Sequence, residues 1–212
     1  GMISRGGGGD FPRNIMATPL SGVETGEYFD VLPYAKAAGE YLMGFIKAVK
    51  FPRKLKVCFS STPANEPHAT FRDLGFTANA DQTFDVYAAG GLGSNPRLGA
   101  RVAKGIAPEQ ILYYIKAMVT TFVTYGNYEN RGRARTRYLQ DTLGTDGFIR
   151  VYRETLARVF EEEQLTVTVH AQAVTKAGDR GTISHRRVLP QKQAGLYAVF
   201  YQPVGGMLSP AK

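Results

Sequence analysis

Within residues 51–60, Phe-Pro-Arg-Lys-Leu-Lys-Val-Cys-Phe-Ser, Leu55, Val57 and Phe59 alternate with Lys54 and Lys56. In an extended strand successive side chains point to opposite faces. Leu55, Val57 and Phe59 then enter a core, and Lys54 and Lys56 share the other face, about 7 Å apart along the strand. Two ammonium groups so placed repel, and an anion is expected over them. The alternative is an edge strand that carries lysines to block aggregation. Other basic and glycine-rich segments decide between the two, because they suit the same anion.

Charge supports that reading. The 212 residues carry a formal +8, which suits an anionic partner: nucleic acid, an anionic cofactor or a small oxyanion. The apolar fraction is enough for a core, and the length allows one large domain or two small ones. No apolar run approaches the roughly 18 residues of a membrane span, so no membrane partner is expected. The first residues lack an apolar signal core. Cys58 is the only cysteine. It excludes an intramolecular disulfide, points to a reducing, cytoplasmic location, and cannot alone hold a cluster or zinc site that needs several thiolates. His68, His170 and His185 show no metal-ligand spacing, so no metal site is assigned.

Taken in order, the chain begins with RGGGGDFPRN, residues 5–14. Glycines let a backbone approach a ligand closely and present N–H groups to an anion. Arg13 and Asn14 lead into Ile15-Met16-Ala17, expected to be a strand. A helix is expected over Pro33–Val49, with Pro33 in the first turn and Asp30 at the positive end. The prolines of residues 62–69 require a loop, and residues 71–77 continue into a short strand or turn. Thr83–Ala88 reads as a strand that opens into Gly90-Gly91-Leu92-Gly93, a weak anion-cradle signal without a full dinucleotide or P-loop fingerprint. Helices are expected over Pro108–Tyr125, ended by Gly126, and Asp146–Glu163. Arg131, Arg133, Arg135 and Arg137 occupy every second position and would line one face of an extended segment; in isolation they suit a solvated basic surface. Leu165–Val169 alternates as a half-buried strand does, residues 176–181 read as a turn, and Gln191–Gly206 as a further strand.

These pieces, in this order, resemble the siroheme-dependent nitrite and sulfite reductases. The resemblance is carried by RGGGGDFPRN, FPRKLK, HATFRDLGF, YAAGGLGSNPRLG, YGNYENRGRARTRY and, near the end, LPQKQAGLYAVFYQPVGGMLS. It implies an α+β fold, a mixed β-sheet with packed helices, in an enzyme whose halves each pair a small ferredoxin-like module with a larger domain. Residues 1–164 would be the first large domain, and residues 165–212 the incomplete start of the second ferredoxin-like half-domain. The 4Fe-4S cysteines of such enzymes belong to the other large domain. Thr62 and Glu66 stand here where cysteines would be.

The resemblance also implies roles. Arg13, Lys54 and Lys56 match catalytic positions around the oxyanion, sulfite or nitrite. Arg53 and Arg135 match basic positions of the siroheme site, the latter usually lysine, and Asn14, Gly90 and Gly91 are assigned to the cofactor side. Siroheme bears eight carboxylates and needs a cationic pocket. Siroheme and the 4Fe-4S cluster would be cofactors of the whole enzyme, neither held stoichiometrically by this chain alone. Its partners would be the remaining domains and an electron donor of ferredoxin or flavoprotein type. The competing class is a basic nucleic-acid-binding module built on the arginine run with Tyr128 and Tyr138, although no nucleic-acid motif surrounds those arginines.

Overall fold

The computed structural model describes residues 8–170, 175–179 and 181–206. Arg5–Gly7 of the glycine run, Arg180 of the expected turn and the residues after Gly206 lie outside the described residues. The chain is an α+β fold built on a five-stranded mixed sheet. Strand β1 (Pro12–Ala17) leads through helix α1 (Leu32–Met43) to β2 (Leu55–Ser60), then to β3 (Leu74–Ala78), β4 (Phe84–Ala88) and β5 (Ala100–Ile106). The spatial order is the chain order, β1-β2-β3-β4-β5. β1, β2 and β3 run parallel; β3, β4 and β5 are antiparallel neighbours. Helices α2 (Ile111–Tyr125), α3 (Tyr138–Leu143) and α4 (Thr145–Glu162) follow.

β2 lies between β1 and β3. Its lysines therefore guard no edge, and the edge-strand alternative is set aside. Parity holds: Leu55, Val57 and Phe59 are fully buried on one face. Phe59 stacks on Phe76 of β3 at 4.7 Å, and Phe84 of β4 meets both rings edge-on. This aromatic layer underlies α1, α2 and α4, whose apolar stripes complete the core.

α1 stops six residues short of the expected Val49. Gly44, a poor helix former, follows Met43, and Lys47 takes a left-handed φ of 71°. Phe45 and Val49 still pack against the core from turns. Asp30 meets its expectation by accepting the Leu32 amide at 3.0 Å. α2 begins with a 3-10 turn at Pro108–Gln110 and ends at Gly126 as read. A Cβ on Gly126 would sit 2.3 Å from Pro52, so the bare glycine lets the end of α2 close on the entry to β2. β5 and α3 had no sequence expectation.

The region after α4 departs from expectation. Burial of residues 163–170 alternates as a strand's would, but they pair with no strand among the described residues. Instead Leu165 and Val167 pack on the core, and the Val167 amide donates to the Glu109 carbonyl at 2.9 Å. Residues 176–179 form no turn. The expected long strand over residues 191–206 shrinks to β7 (Tyr197–Val199), which pairs antiparallel with β6 (Val188–Pro190). The hairpin is joined to the loop before α1. The Lys192 amide donates to Val23, Gln193 to Gly22, and the Lys192 ammonium pairs with Glu27 at 2.6 Å.

Gly75 is the tightest point of the sheet. A Cβ there would lie 1.9 Å from the Ala69 carbonyl oxygen, in the connection that crosses the sheet face between β2 and β3. That oxygen is backbone and cannot swing away. Gly75→Ala is expected to destabilise the chain by about 3 kcal/mol, the upper range of overpacking costs, as measured by urea unfolding.

Candidate oxyanion and cofactor site

The solvent-side face of β2 carries Lys54 at its entrance and Lys56 one register step on. Cys58 and Ser60 on the same face are buried beneath the connection to β3. β1 reaches this face with an irregularity. Its pairing shifts from Pro12↔Leu55 to Ile15↔Val57, which leaves one extra residue at Arg13–Asn14. The Arg13 guanidinium folds back on the glycine run and donates from Nε and Nη2 to the Gly9 carbonyl at 2.9 and 2.8 Å. Asn14 is exposed and, among the described residues, has no hydrogen bond to the cluster.

Arg53 pairs with Asp10 at 3.2 Å, and Arg131 binds the same carboxylate. The Arg131 hydrogen bond leads the causes that hold the Asp10 carboxyl below its ordinary range, with Arg53 adding to it against the opposing effect of burial. Arg135 enters from the opposite side. Its Nη2 lies 3.0 Å from both oxygens of Asp73, whose side chain is wholly buried. Asp73 also accepts from the Thr136 hydroxyl and, at 2.9 Å, from the Lys56 amide. Lys56, Arg72, Arg135 and Gly91 thereby line a polar concavity of about 100 Å³.

Four of these cations lie within electrostatic reach of Lys54. Its ammonium is pushed below the ordinary lysine range, first by burial and then by Arg13, Arg135, Lys56 and Arg53. Neither Lys54 nor Lys56 forms an ion pair among the described residues. Arg13, Arg53, Lys54, Lys56 and Arg135, with Arg72 and Arg131 beside them, thus face two carboxylates, Asp10 and Asp73, each already engaged by arginine. Such an arrangement favours an anion.

The glycine loop plays a different part from the one expected. The Gly90 amide donates to the Arg72 carbonyl at 3.0 Å and the Gly91 amide to Arg97 at 2.9 Å, so neither is free to cradle an anion. Gly90 is needed because a Cβ would lie 2.8 Å from the Arg72 carbonyl oxygen. The arginine run also departs from expectation. Residues 131–133 form a 3-10 turn, so the four side chains line no common face. Arg133 approaches Asp141, and Arg137, mostly buried, donates to the Leu92 carbonyl at 2.8 Å. The run braces the site and the glycine loop instead of forming one open basic surface. Sequence reasoning missed Asp73, Thr136 and Arg137. The visible signal for Asp73 was an acid set directly before a buried strand within HATFRDLGF.

Cys58 does not fit a cluster ligand. Its thiol is buried, donates to the Pro67 carbonyl at 3.4 Å, and is pushed up to about 11 chiefly by burial. Thr62 is buried and Glu66 exposed in the neighbouring loop. No group of three or more His, Cys, Asp or Glu residues suited to a metal ion occurs among the described residues. No helix among them is long and apolar enough to cross a membrane.

The fold and site define an α+β domain with a basic cluster at the entrance to β2. The family described as nitrite and sulphite reductase 4Fe-4S domain matches residues 8–160, more than half of the chain, and the chain belongs to that family. Among its relatives is the sulfite reductase [NADPH] hemoprotein beta-component of Thiocapsa roseopersicina, 31% identical over 179 residues, which span 68% of this chain and 32% of that protein. Ferredoxin–nitrite reductase of Synechococcus elongatus is 29% identical over 216 residues, 97% of this chain and 40% of that protein. The fold is shared with the Mycobacterium tuberculosis NirA protein at a TM-score of 0.62 and 24% identity, covering 91% of this chain and 34% of that one. The chain thus spans between a third and two-fifths of these proteins' length. The relatives are oxidoreductases by name, and the family's description is that of a 4Fe-4S domain.

The electrostatics of Lys54 can be tested directly. In the chain labelled with ¹³C at lysine Cε, Lys54 is expected to titrate below the ordinary lysine range, and Arg13→Gln to move it back up. An unchanged Lys54 titration in Arg13→Gln would break the link between the two groups.

Proposed function

We propose that this chain acts as one domain of a siroheme-dependent nitrite or sulfite reductase and that its basic cluster binds that enzyme's anionic reactants. The observation that carries the reading is the convergence of Arg13, Arg53, Lys56 and Arg135 on Lys54, in surplus over the carboxylates around them. Arg13, Lys54 and Lys56 face the oxyanion, sulfite or nitrite. Arg53 and Arg135 take carboxylates of siroheme, with Asn14 at the rim; Gly91 shapes the wall and Gly90 seats it. In this division residues 1–164 form the large domain and residues 165–212 open the second ferredoxin-like half-domain. The lone thiol suits a reducing, cytoplasmic setting.

The cations present fit a polycarboxylate cofactor, because their charge exceeds what Asp10 and Asp73 neutralise. They do not extend to the 4Fe-4S cluster, since a single buried thiol cannot supply four thiolates. Cluster ligands belong to the remaining domains of the enzyme, and electrons to a ferredoxin or flavoprotein donor. Siroheme, when bound, supplies the six-electron redox chemistry that takes sulfite to sulfide or nitrite to ammonia. This chain's residues do the rest. The lysines and arginines attract the oxyanion, hold it against water, and stabilise charge on its oxygens as they leave as water. The Lys54 ammonium, held below the ordinary lysine range by burial and then by its cationic neighbours, is suited to pass a proton to such an oxygen.

In the whole enzyme, Lys54→Ala and Lys56→Ala are each expected to lower turnover with a chemical electron donor by about 10²–10³, the usual cost of one preorganised electrostatic donor. Thermal stability and siroheme content should stay near wild type, since both side chains lie opposite the buried Leu55 and Val57. Full siroheme with near wild-type turnover in either variant would remove that lysine from the site.

A further inference from the structure

The connection between β2 and β3 delivers one acid, Asp73, to the floor of the basic cluster. Three observations set it apart from an ordinary counter-ion. Its side chain is fully buried. Its acceptors are spent on groups from two different segments: the Lys56 amide of β2, and Arg135 and Thr136 of the arginine run. Its own carbonyl accepts the Ala89 amide at 2.9 Å, at the mouth of the glycine loop. One residue therefore sets the register of Lys56, the direction of Arg135 and the position of the loop that closes the concavity beside them.

Resting on the oxyanion reading given above, we propose that Asp73 is the positioning residue of the anion site. It acts through Lys56, which faces the oxyanion, and through Arg135, the siroheme-side cation on the same concavity wall, and does not touch the anion. Arg135 places both short contacts through Nη2, leaving the rest of the guanidinium directed along the concavity wall that it shares with Lys56. Its Nε is buried without a partner, so the fork keeps this pose through Asp73 alone among the described residues. A guanidinium released from that carboxylate has several alternative rotamers, and each moves its donors away from Lys56 and Lys54.

The two roles an acid can play here predict opposite signs. A carboxylate that merely neutralises the cluster weakens anion binding, and its removal adds one net positive charge and tightens it. A positioning carboxylate strengthens anion binding by holding donors in place, and its removal weakens it despite the added charge.

The test uses the 212-residue chain at low ionic strength, with sulfite, and sulfate as a redox-inert companion, followed through the amide shift of Lys56. Asp73→Asn keeps the shape and one acceptor but removes the ion pair. It is expected to bind both anions about ten-fold more weakly, the scale of one displaced charge-assisted hydrogen bond. Lys54→Ala in the otherwise native chain reports on the site itself. If Lys54→Ala weakens binding while Asp73→Asn binds equally or more tightly, the site stands and the positioning role is overturned. If Lys54→Ala changes nothing, the oxyanion reading falls and this inference falls with it. Should Asp73→Asn fail to fold, Thr136→Val decides. It removes a single donor to the same carboxylate, and an unchanged anion affinity in a folded Thr136→Val would also overturn the proposal.

Discussion

The buried carboxylate of Asp73 is the interaction on which the functional face depends. Carboxylates are almost never left fully buried unless ionic and hydrogen-bonding partners surround them. Asp73 has arginine, hydroxyl and amide donors together, and these come from segments far apart in sequence. Taking away one partner of such a pair typically costs about 3–5 kcal/mol, because the remaining charge is stranded. The same carboxylate therefore ties the lysine strand to the arginine run, and the backbone carbonyl of Asp73 adds the exit of β4 to that unit. The aromatic layer of Phe59, Phe76 and Phe84 supports that unit from below.

Charge balance above this floor is incomplete. Asp10 is shared by Arg53 and Arg131, and Asp73 is occupied by Arg135. Lys54 is left among cations, half-buried, with its proton destabilised by its surroundings. A fold tolerates such repulsion only where the structure around it fixes every participant. Here Pro52 is held against Gly126 at the end of α2, Arg13 is clamped on Gly9, and Arg135 is held by Asp73. A backbone carbonyl and a buried carboxylate thus hold Arg13 and Arg135 in place.

Parity along residues 54–59 is legible in the sequence alone, because a strand has a period of two and the apolar residues obey it. So are α2 and most of α4, whose stripes and terminal Gly126 are local signals. The Arg131–Arg137 run is not, because its alternation resembles an extended face. Its actual conformation begins with a tight turn, and its arginines each find a different acceptor. The acceptors of Arg131, Arg135 and Arg137 lie 121, 62 and 45 residues away in the chain. Gly90 and Gly91 are illegible for a related reason: a glycine-rich loop that packs closely against backbone looks the same in sequence as one that opens to a ligand. The alternation of residues 165–169 matches the side chains that are half-buried. It carries no information on whether a partner strand is present.

By itself the sequence determined α2 and most of α4, the side of β2 that is buried, the surplus of positive charge and the impossibility of a four-thiolate cluster on one cysteine. All of these follow from short-range periodicity or from counting. Only the tertiary structure decided that β2 is an interior strand, that Arg13, Arg53, Lys56 and Arg135 come within electrostatic reach of Lys54, and that Asp73 is buried against Arg135 and the Lys56 amide. Those facts depend on strand order and on contacts between distant segments. They are set by how the sheet pairs and how loops close over it, for which no residue spacing in a single chain supplies the distance.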